Sequence, residues 1–375
     1  MKVLALEPYH GGSHKAFLDG WSVRSRHDWT ILGLPAYTWK WRMRHGAITL
    51  ADEVRERIEP GHAWDVLFCS DMLNLAEFLG LSSADLRMLP SVAYFHENQF
   101  TYPARHETEH DYHFAFTNIT TALAATQVWF NSAFHRDAFL GAMSAFLARM
   151  PDHQSLDTVD RIRDKSRVYS PGVVDFPPRG PREPGPLRIL WAARWEHDKN
   201  PETFFEAIGI LKSRGIAFRL GVIGEQFTET PFVFDNAKEQ FRTHIDRWGY
   251  QKTRREYEAA LIEADVIVST ADHEFFGISI VEAIAAGAYP LLPNRLAYPE
   301  VLASEEPAET SEFFYQGKAE ELSRRLTELA QRIRQDDLWN GDPTRAIRAV
   351  SRFNWSQRAP RLDAAIEELQ AVTLY

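Results

Sequence analysis

Short apolar runs alternate along the chain with longer stretches in which apolar residues recur every three or four positions. The short runs predict buried strands, and the longer stretches predict amphipathic helices between them. This alternation is typical of a parallel α/β architecture. We expect strands at residues 3–6, 30–34, 65–69, 92–96, 128–131 and 168–169 in the first half, and at residues 188–192, 219–223, 265–270 and 289–292 in the second.

A segment rich in proline and glycine, residues 176–186, separates the two sets of strands. Such a composition is typical of a linker between domains. We therefore predict two doubly wound, Rossmann-like domains, residues 1–175 and 187–352, that face each other across a cleft. Residues 353–375 follow the second domain and contain a predicted terminal helix at 361–371.

Composition sets the class of protein. The 375 residues are 45% hydrophobic and 25% charged, which indicates a globular chain long enough for two cores. One cysteine, Cys69, excludes an internal disulfide and a cysteine-based zinc site, and it fits a reducing compartment. The net charge of −10 does not favour general attraction to DNA or to an anionic membrane. With no run near about 18 apolar residues and no leader pattern, we expect a cytoplasmic protein.

Two glutamates separated by seven residues bracket a predicted turn into a helix in the second half. Glu274 lies in the loop after strand 265–270, and Glu282 lies in helix 278–286, so both can accept hydrogen bonds from hydroxyls. The first amides of that helix, at Ile278 and Ser279, have no helical partner and can bind phosphate. The arrangement suits a sugar nucleotide, although an ordinary helix with two solvated glutamates is the simpler alternative.

The residues around this pair resemble the retaining GT-B glycosyltransferases, which carry the frame E-x-F-G-x-x-x-x-E-A-x-x-x-G. The resemblance implies an acceptor-side first domain, a nucleotide-sugar-binding second domain, and a terminal helix at 353–375 that returns to the first domain. It also implies donor contacts at Phe276 and Gly277. The matching residues are Glu274, Phe276, Gly277, Glu282, Ala283 and Gly287.

An arginine and a lysine five residues apart, Arg194 and Lys199, follow the first strand of the second domain. They resemble the family segment in which two cations cradle the diphosphate, and there they are expected to stabilise the charge that grows on the leaving group. Without the glutamate pair, a solvated basic loop would be the simpler interpretation. Further candidates for the nucleotide pocket are Asn200, Glu225, Gly249 and Tyr250.

Two features of the first domain also point to the donor. Gly11 and Gly12 let the backbone approach a ligand closely, and Ser13 is a plausible N-cap, although most Gly-Gly pairs are only turns. His96 stands at the carboxyl end of a predicted strand, the edge where open parallel sheets bind ligands. In similar enzymes a histidine at this point contacts the donor sugar and the leaving phosphate, whereas a lone histidine is more often structural.

Cations and indoles interleave in residues 34–45. The cations could meet phosphates while Trp39 or Trp41 stacks on a base, as expected for single-stranded or loop RNA. The alternative is that the tryptophans belong to the core and the arginines to a solvated face. The candidates for acceptor binding are Lys40, Trp41, Arg42, Arg44, His45, Asn98 and Tyr102.

Four longer motifs closely resemble the tRNA-queuosine mannosyltransferase family. They are E-P-Y-H-G-G-S-H-K from Glu7, L-P-A-x-x-W-x-W-R-x-R from Leu34, F-H-E-N-Q-x-x-Y-P from Phe95 and Y-P-L-L-P-N-R-L-A-Y-P-E from Tyr289. The resemblance implies transfer of mannose from GDP-mannose, with retention, to the cyclopentenediol of queuosine in the anticodon loop of tRNA-Asp. It also implies front-face attack with the departing phosphate as the base.

Three alternatives stay open from the sequence. The first is a glycosyltransferase with a small-molecule, lipid or protein acceptor, and the second is an inactive module that only binds a sugar nucleotide. The third is a zinc hydrolase, since His106 and His110 match the H-E-x-x-H pattern. We interpret that match as chance among 14 histidines and predict a loop near the acceptor. Because no D-x-D motif appears, we expect no metal and no cofactor.

Overall fold

A computed structural model of the chain describes residues 1–57, 63–103, 111–226, 230–303 and 310–373. The chain divides into two compact units, one formed by Met1–Gly172 with Trp355–Tyr375 and the other by Val173–Asn354. We call them unit 1 and unit 2. Each unit contains one six-stranded sheet, and the paired strands run parallel. Two parallel α/β units of this kind are the fold that the apolar pattern predicted.

The sheet of unit 1 has the strand order β2-β1-β3-β4-β5-β6. Its central strands are buried along their whole length, which explains their continuous apolar sequences. The strands are β1 Lys2–His10, β2 Asp28–Pro35, β3 Val66–Ser70, β4 Ser91–Phe95, β5 Gln127–Phe130 and β6 Ser166–Val168. The helices are α1 Gly12–Ser22, α2 Trp39–Arg57, α3 Leu75–Leu81, α4 Ala84–Arg87, α5 Tyr112–Ala124, α6 Ala133–Leu147 and α7 Asp157–Asp164.

The sheet of unit 2 has the order β12-β11-β10-β7-β8-β9. Its strands are β7 Leu187–Ala192, β8 Phe218–Ile223, β9 Ile245–Gly249, β10 Val266–Val268, β11 Tyr289–Pro293 and β12 Phe314–Tyr315. Its helices are α8 Pro201–Ser213, α9 Val233–Gln240, α10 Arg254–Glu263, α11 Ile278–Ala285, α12 Tyr298–Val301, α13 Ala319–Arg334 and α14 Arg345–Ser351. None of the helices within the described ranges is long and apolar enough to cross a bilayer.

The last helix, α15 Trp355–Thr373, packs in unit 1 and begins six residues before the predicted start at residue 361. Asp363 in this helix accepts a hydrogen bond from the indole of Trp21 at 2.8 Å. The ring of Trp355 fills the space beside Gly172, where an added Cβ would lie 2.2 Å from a ring atom. Any residue other than glycine at position 172 would therefore push the Trp355 ring, and α15 with it, away from its position.

Each of the ten predicted strands overlaps an observed strand, but two edge strands were missed. β9 reads Ile-Asp-Arg-Trp-Gly, and its partly exposed residues give no continuous apolar run. β12 is only two residues long. Both are edge strands of the sheet in unit 2. An edge strand is covered less completely than a central one, so its sequence need not be a continuous apolar run.

The proline-rich segment 176–186 is attached to unit 2 by its two arginines. Arg179 donates to the carbonyl of Gly287 at 2.9 Å, and Arg182 donates to both carboxylate oxygens of Asp265 at 2.9 Å. The Asp265 side chain is fully buried and also accepts the backbone amide of Arg188. These bonds hold the segment at the edge where β7 and β10 begin.

Candidate functional site

The helix that carries Glu282, α11, begins as predicted at Ile278, and Gly277 is its N-cap. Gly277 has φ of 82°, a left-handed conformation that favours glycine, and a Cβ there would lie 3.0 Å from the Tyr298 ring. The first helical bond is donated by Ile280 to the Gly277 carbonyl. The amides of Ile278 and Ser279 precede it, which leaves them suited to an anion.

The start of α11 is tied to the carboxyl end of β7. The Ser279 hydroxyl donates to the carbonyl of Ala192, the last residue of β7, at 2.7 Å. This bond brings the first turn of the helix to the loop that carries Arg194. Phe276, which we expected to contact the donor, is instead a core residue that is 4% exposed and meets the ring of Phe353 edge-on.

Lys199 and Glu274 meet at the carboxyl edge of the sheet in unit 2. The Lys199 ammonium lies 3.4 Å from a Glu274 carboxylate oxygen and 3.0 Å from Asp198, and it donates to the His273 carbonyl at 2.7 Å. We call Asp198, Lys199 and Glu274 the lysine cluster. Its single ammonium lies between two carboxylates in a largely buried position.

The protonation of Glu274 and His273 follows from this cluster. Burial raises the pKa of Glu274, but the positive charges of Lys199 and Arg194 outweigh it, so the pKa lies below its ordinary value. Burial and the same charges lower the pKa of His273 to about 4. At neutral pH the site therefore presents an ionised Glu274 and a neutral His273. The other Glu274 oxygen accepts the Phe275 amide at 3.1 Å.

Asn200 holds the loop of the lysine cluster in place. Its backbone is left-handed, with φ of 48°, and its side chain caps α8 by accepting the Thr203 amide. Its amide group also donates to Asp272 at 3.0 Å, and the Asp272 backbone amide donates to the carbonyl of Asp198. The predicted donor residue Asn200 thus has a structural part in the site.

Glu282 lies on α11 with both carboxylate oxygens already hydrogen-bonded. Arg254 donates to one oxygen and the Tyr257 hydroxyl donates to the other, each at 2.7 Å. Burial and the charge of Glu282 hold the pKa of Tyr257 well above its ordinary value, so the phenol keeps its proton. Each carboxylate oxygen can accept a second hydrogen bond, which leaves room for ligand hydroxyls.

The remaining nucleotide-pocket candidates follow the neighbouring strands β8 and β9. Gly249 ends β9 opposite Ile223, the last residue of β8. Tyr250 comes next and is 63% exposed, while the Glu225 carbonyl accepts the Trp195 amide. Glu225, Gly249 and Tyr250 therefore share the carboxyl edge with the lysine cluster.

In the glycine turn of unit 1, at Gly11 and Gly12, the predicted N-cap is wrong. Helix α1 begins at Gly12 with Gly11 as its N-cap, so Ser13 is already inside the helix and is not the N-cap. A Cβ at Gly11 would lie 2.3 Å from the Cβ of Ala36, so close packing of the next loop requires glycine there. Gly12 and Ser13 are exposed.

His96 directly follows β4, as predicted, and neighbouring groups fix its ring. Its backbone amide donates to Asp71 at 2.8 Å, and its carbonyl accepts the Asn131 side chain at 2.9 Å. The His14 ring packs over it with centroids 4.0 Å apart. Burial and the charges of His14 and His135 hold the pKa of His96 well below its ordinary value.

The group that most resembles a metal site among the described residues is Glu7, His14 and His96, whose ligand atoms lie within 4.8 Å of one another. Glu7 and His14 already satisfy each other, since the His14 Nδ1 lies 3.1 Å from the Glu7 carboxylate. A metal ion would have to replace the proton between them. We therefore describe these groups as an ion pair rather than as metal ligands.

Helix α2 presents three of the acceptor candidates to solvent. Lys40, Trp41 and Arg44 are exposed, and Trp41 is 61% exposed although it is an indole. His45 packs against the Trp41 ring at 4.9 Å, and the Arg44 guanidinium lies over the ring of Phe114. An aromatic ring among exposed cations is the arrangement predicted for RNA contact.

Two acceptor candidates are buried, so these predictions need correction. Arg42 is 6% exposed, and its guanidinium donates to the Pro35 carbonyl and hydrogen-bonds His45, so it supports α2 from inside. Asn98 is fully buried, and its side chain accepts two backbone amides of its own turn. Tyr102 follows that turn and is partly exposed. The zinc-hydrolase pattern at residues 106–110 lies outside the described residues.

Sequence reasoning missed five residues that shape these sites. Three of them have a signal that could have been used, because they lie within a few residues of the end of β1 or β3, on the edge that His96 occupies. The other two contact Glu282 from α10 and have no such signal. The missed residues are Glu7, His14, Asp71, Arg254 and Tyr257.

Two family models match the chain. The model described as tRNA-queuosine alpha-mannosyltransferase N-terminal matches residues 2–173, and the model described as glycosyl transferases group 1 matches residues 176–336. A tRNA-queuosine alpha-mannosyltransferase of Drosophila melanogaster is 36% identical over 321 residues, which cover 82% of this chain and 84% of that protein. A glycogen synthase of Mycobacterium tuberculosis is 23% identical over 249 residues, covering 62% and 59%.

Solved structures support the fold. Sucrose-phosphate synthase from Thermosynechococcus elongatus superimposes with a TM-score of 0.69 at 12% identity, covering 99% of each chain. The Anabaena HepE structure in complex with UDP gives a TM-score of 0.68 at 12% identity, covering 98% of this chain and 99% of that one. At such identities the likeness concerns the fold, which is GT-B with two Rossmann-like units.

Proposed function

The chain belongs to the tRNA-queuosine alpha-mannosyltransferase family, and on that premise we propose that it transfers mannose from GDP-mannose to queuosine in the anticodon loop of tRNA-Asp. The observation that carries the proposal is the 36% identity to the Drosophila enzyme along 82% of the chain. The chain is a glycosyltransferase, and a hexosyltransferase in particular. The donor and the acceptor are the parts that need testing.

Unit 2 contains backbone amides and cations suited to the diphosphate of a nucleotide sugar. The open amides of Ile278 and Ser279 suit the diphosphate, and Arg194 and Lys199 suit the charge that grows on it as the glycosidic bond breaks. With Arg194 and Lys199 as the cations that stabilise this charge, we propose that transfer needs no metal ion. Activity that survives EDTA would agree with this, and activity restored only by a divalent cation would contradict it.

The two glutamates suit the two hydroxyl-bearing parts of the donor. Glu274 is held ionised beside Lys199 and can accept hydrogen bonds from the mannose hydroxyls. Glu282, held by Arg254 and Tyr257, can accept those of the ribose. In our proposal the acceptor hydroxyl attacks the anomeric carbon of mannose on the same face from which GDP departs, so the configuration is retained. The bond from that carbon to the phosphate oxygen breaks, and the departing phosphate takes the hydroxyl proton.

Unit 1 supplies a surface suited to an RNA loop. Lys40 and Arg44 carry positive charge beside the exposed ring of Trp41, so phosphates and a stacked base could be bound together. This local patch explains how a chain with a net charge of −10 could bind tRNA. We also propose a cytoplasmic reaction, which fits the single reduced Cys69.

The experiment incubates the purified full-length protein with queuosine-containing tRNA-Asp and, in separate reactions, GDP-mannose, UDP-glucose or UDP-N-acetylglucosamine. Nucleosides from the digested tRNA are then analysed by mass spectrometry. We expect a hexose added to queuosine with GDP-mannose alone. The same tRNA carrying guanosine in place of queuosine is the acceptor control and should gain no hexose.

Other outcomes distinguish the alternatives. Hexose transfer to queuosine from a uridine donor would overturn the donor assignment. Donor binding without an adduct on any tRNA would send the acceptor search to small molecules, lipids and proteins. Donor binding without any turnover, with every acceptor class supplied, would make the protein a sugar-nucleotide-binding module.

A further inference from the structure

Four titratable side chains gather at the carboxyl edge of the sheet in unit 1. Glu7 lies near the end of β1, His14 lies in the first turns of α1, and Asp71 and His96 directly follow β3 and β4. We call this group the histidine cluster. Glu7, His14 and Asp71 are each no more than 5% exposed. The family resemblance assigns His96 to the donor and gives the other three no role.

Glu7 is held as a carboxylate by three donors. Its oxygens accept the Tyr9 amide at 2.9 Å, the Ser70 hydroxyl at 2.9 Å and the His14 ring nitrogen at 3.1 Å. Burial raises the pKa of Glu7, but the charge of His14 and these hydrogen bonds outweigh it and hold the pKa below its ordinary value. A carboxylate this buried needs a cation beside it, and His14 is that cation.

The charges around His14 come from several elements. Burial lowers its pKa, but the charge and hydrogen bond of Glu7, with the charges of Asp71 and Glu97, raise the pKa to about 9. Burial and the nearby carboxylates raise the pKa of Asp71 to about 8, although His14 opposes them. Within the described residues, the second Asp71 oxygen is buried and has no hydrogen-bond partner. At neutral pH Glu7 and His14 thus form one carboxylate beside one imidazolium.

The His96 ring is packed between other rings. The His14 ring covers it at 4.0 Å and 32°, the Tyr94 ring lies at 4.6 Å, and Phe17 meets it edge-on at 5.4 Å. His14 itself is fixed by Glu7 through the hydrogen bond at 3.1 Å. Any change in the Glu7 and His14 pair therefore moves the surface against which His96 rests.

We propose that His14, held by Glu7, is a positioning residue that fixes the orientation of the His96 ring for the transfer reaction. The proposal rests on the proposed function and on the predicted donor role of His96. A neutral ring can both accept and donate a hydrogen bond, whereas a protonated one can only donate. The His14 imidazolium stacked on His96 makes a second proton there unfavourable.

The same turn contains a matched control. His10 pairs with Asp19 at 2.9 Å, so it is also a histidine and carboxylate pair joining the end of β1 to α1. The His10 side chain is partly exposed, and its partner Asp19 is more exposed still. His10→Asn should change turnover by no more than about 2-fold, as expected of a surface substitution.

The test combines kinetics and histidine titration on the full-length protein. Glu7→Gln and His14→Gln should each lower kcat by about 100-fold, because small misplacement of a reacting group has that effect. KM for GDP-mannose should stay nearly unchanged, and the double variant should be no slower than either single variant, since the two residues act as a unit. Glu7→Asp, which keeps the carboxylate, should recover part of the lost kcat.

The titration needs no active enzyme. In the ¹⁵N-labelled wild-type protein, with signals assigned by His14→Gln and His96→Asn, nitrogen shifts should show His14 protonated at pH 8 and His96 neutral at pH 6. Glu7→Gln should move the His14 midpoint below pH 7. His14 neutral at pH 8, a protonated His96 at pH 6, or a stoichiometric bound metal ion would overturn the proposal.

Two further results decide between this inference and the proposed function. Equal kcat in wild type and His14→Gln, or an equal loss in His10→Asn, would remove the positioning role while leaving the transferase intact. A wild-type protein that transfers no mannose would contradict the proposed function, and the positioning role for transfer would fall with it, even where the titration shows the predicted charges.

Discussion

The two units carry buried charges of different kinds at the same edge of their sheets. In unit 2 the positive charge belongs to Lys199, set between Asp198 and Glu274. In unit 1 it belongs to His14, set against Glu7. The Lys199 ammonium is held by two carboxylates and a carbonyl, whereas the His14 imidazole is charged only because its surroundings hold a proton on it.

The two kinds of charge suit two different tasks, stabilising the leaving group in unit 2 and positioning a histidine ring in unit 1. A diphosphate leaving group is negative at every working pH, so fixed cations suit the donor side. In the proposed role, the Glu7 and His14 pair of unit 1 instead holds a neighbouring ring in place, and the charge of His14 depends on the groups around it. The comparison predicts that substitutions in unit 2 act on stability, leaving-group chemistry and donor affinity, and that substitutions on α2 of unit 1 act on tRNA.

The largest expected effect comes from breaking the lysine cluster. Lys199→Ala removes the cation between two carboxylates of low exposure, so we expect a loss of about 3–5 kcal/mol in the free energy of unfolding. Urea unfolding measures it. Lys212→Ala, which removes an exposed lysine bonded to the Gln240 carbonyl, is the control and should change stability by less than about 0.5 kcal/mol. Equal midpoints for the two variants would contradict the role of Lys199.

Arg194→Ala tests the chemistry without the same cost in stability, because the Arg194 side chain is 38% exposed. We expect kcat for mannose transfer to fall about 10²–10³-fold, as when one donor to a developing charge is removed. The matched control is Arg219→Ala, which removes a 35% exposed arginine paired with Asp246 at the opposite edge of unit 2. Turnover unchanged by Arg194→Ala would remove it from the diphosphate site.

Glu282→Gln separates a ligand contact from a structural one. If Glu282 binds the ribose, the dissociation constant for GDP-mannose should rise about 10-fold, or about 1.4 kcal/mol. Calorimetric titration measures it, with Glu258→Gln as the control because Glu258 pairs with the same Arg254 from a more exposed position. Equal donor affinity in wild type and Glu282→Gln would make Glu282 a structural partner of Arg254 and Tyr257.

The smallest expected effect is on the RNA surface. Trp41→Ala should raise KM for tRNA roughly 5-fold, since one base stacked on an aromatic ring contributes about 1 kcal/mol or more. Ile48→Ala is the control, because Ile48 is 50% exposed on the same helix and has no ring. A rise in KM for Ile48→Ala as large as that for Trp41→Ala would indicate a general effect of α2 rather than stacking.

The sequence predicted the two sheets well because buried parallel strands require uninterrupted apolar runs. It also placed Glu274 in the loop after β10, Glu282 inside the helix that begins at Ile278, and His96 at the carboxyl end of β4, since strand ends and helix starts follow from the apolar pattern. It could not separate Arg42 from Lys40 and Arg44, because all three are cations within two turns of α2. Only packing shows that Arg42 reaches the Pro35 carbonyl beneath the helix.

The sequence also could not predict which residues pair with the charged side chains. His14 is held by Glu7 across the turn from β1 to α1, and Arg254 reaches Glu282 from a different helix. Such contacts depend on how the elements pack, and a list of residue types does not contain that information. Asn98 shows the same limit, since a polar residue near a strand end was expected to meet the acceptor but closes its own buried turn.

The most direct test of the division between the units is a crossed binding measurement. Affinities for GDP-mannose and for queuosine-containing tRNA-Asp are measured on the full-length Glu282→Gln and Trp41→Ala variants. We predict that Glu282→Gln weakens only the donor and that Trp41→Ala weakens only the tRNA. If either variant weakened both ligands equally, or if each weakened the other's ligand, the assignment of donor to unit 2 and acceptor to α2 would be wrong.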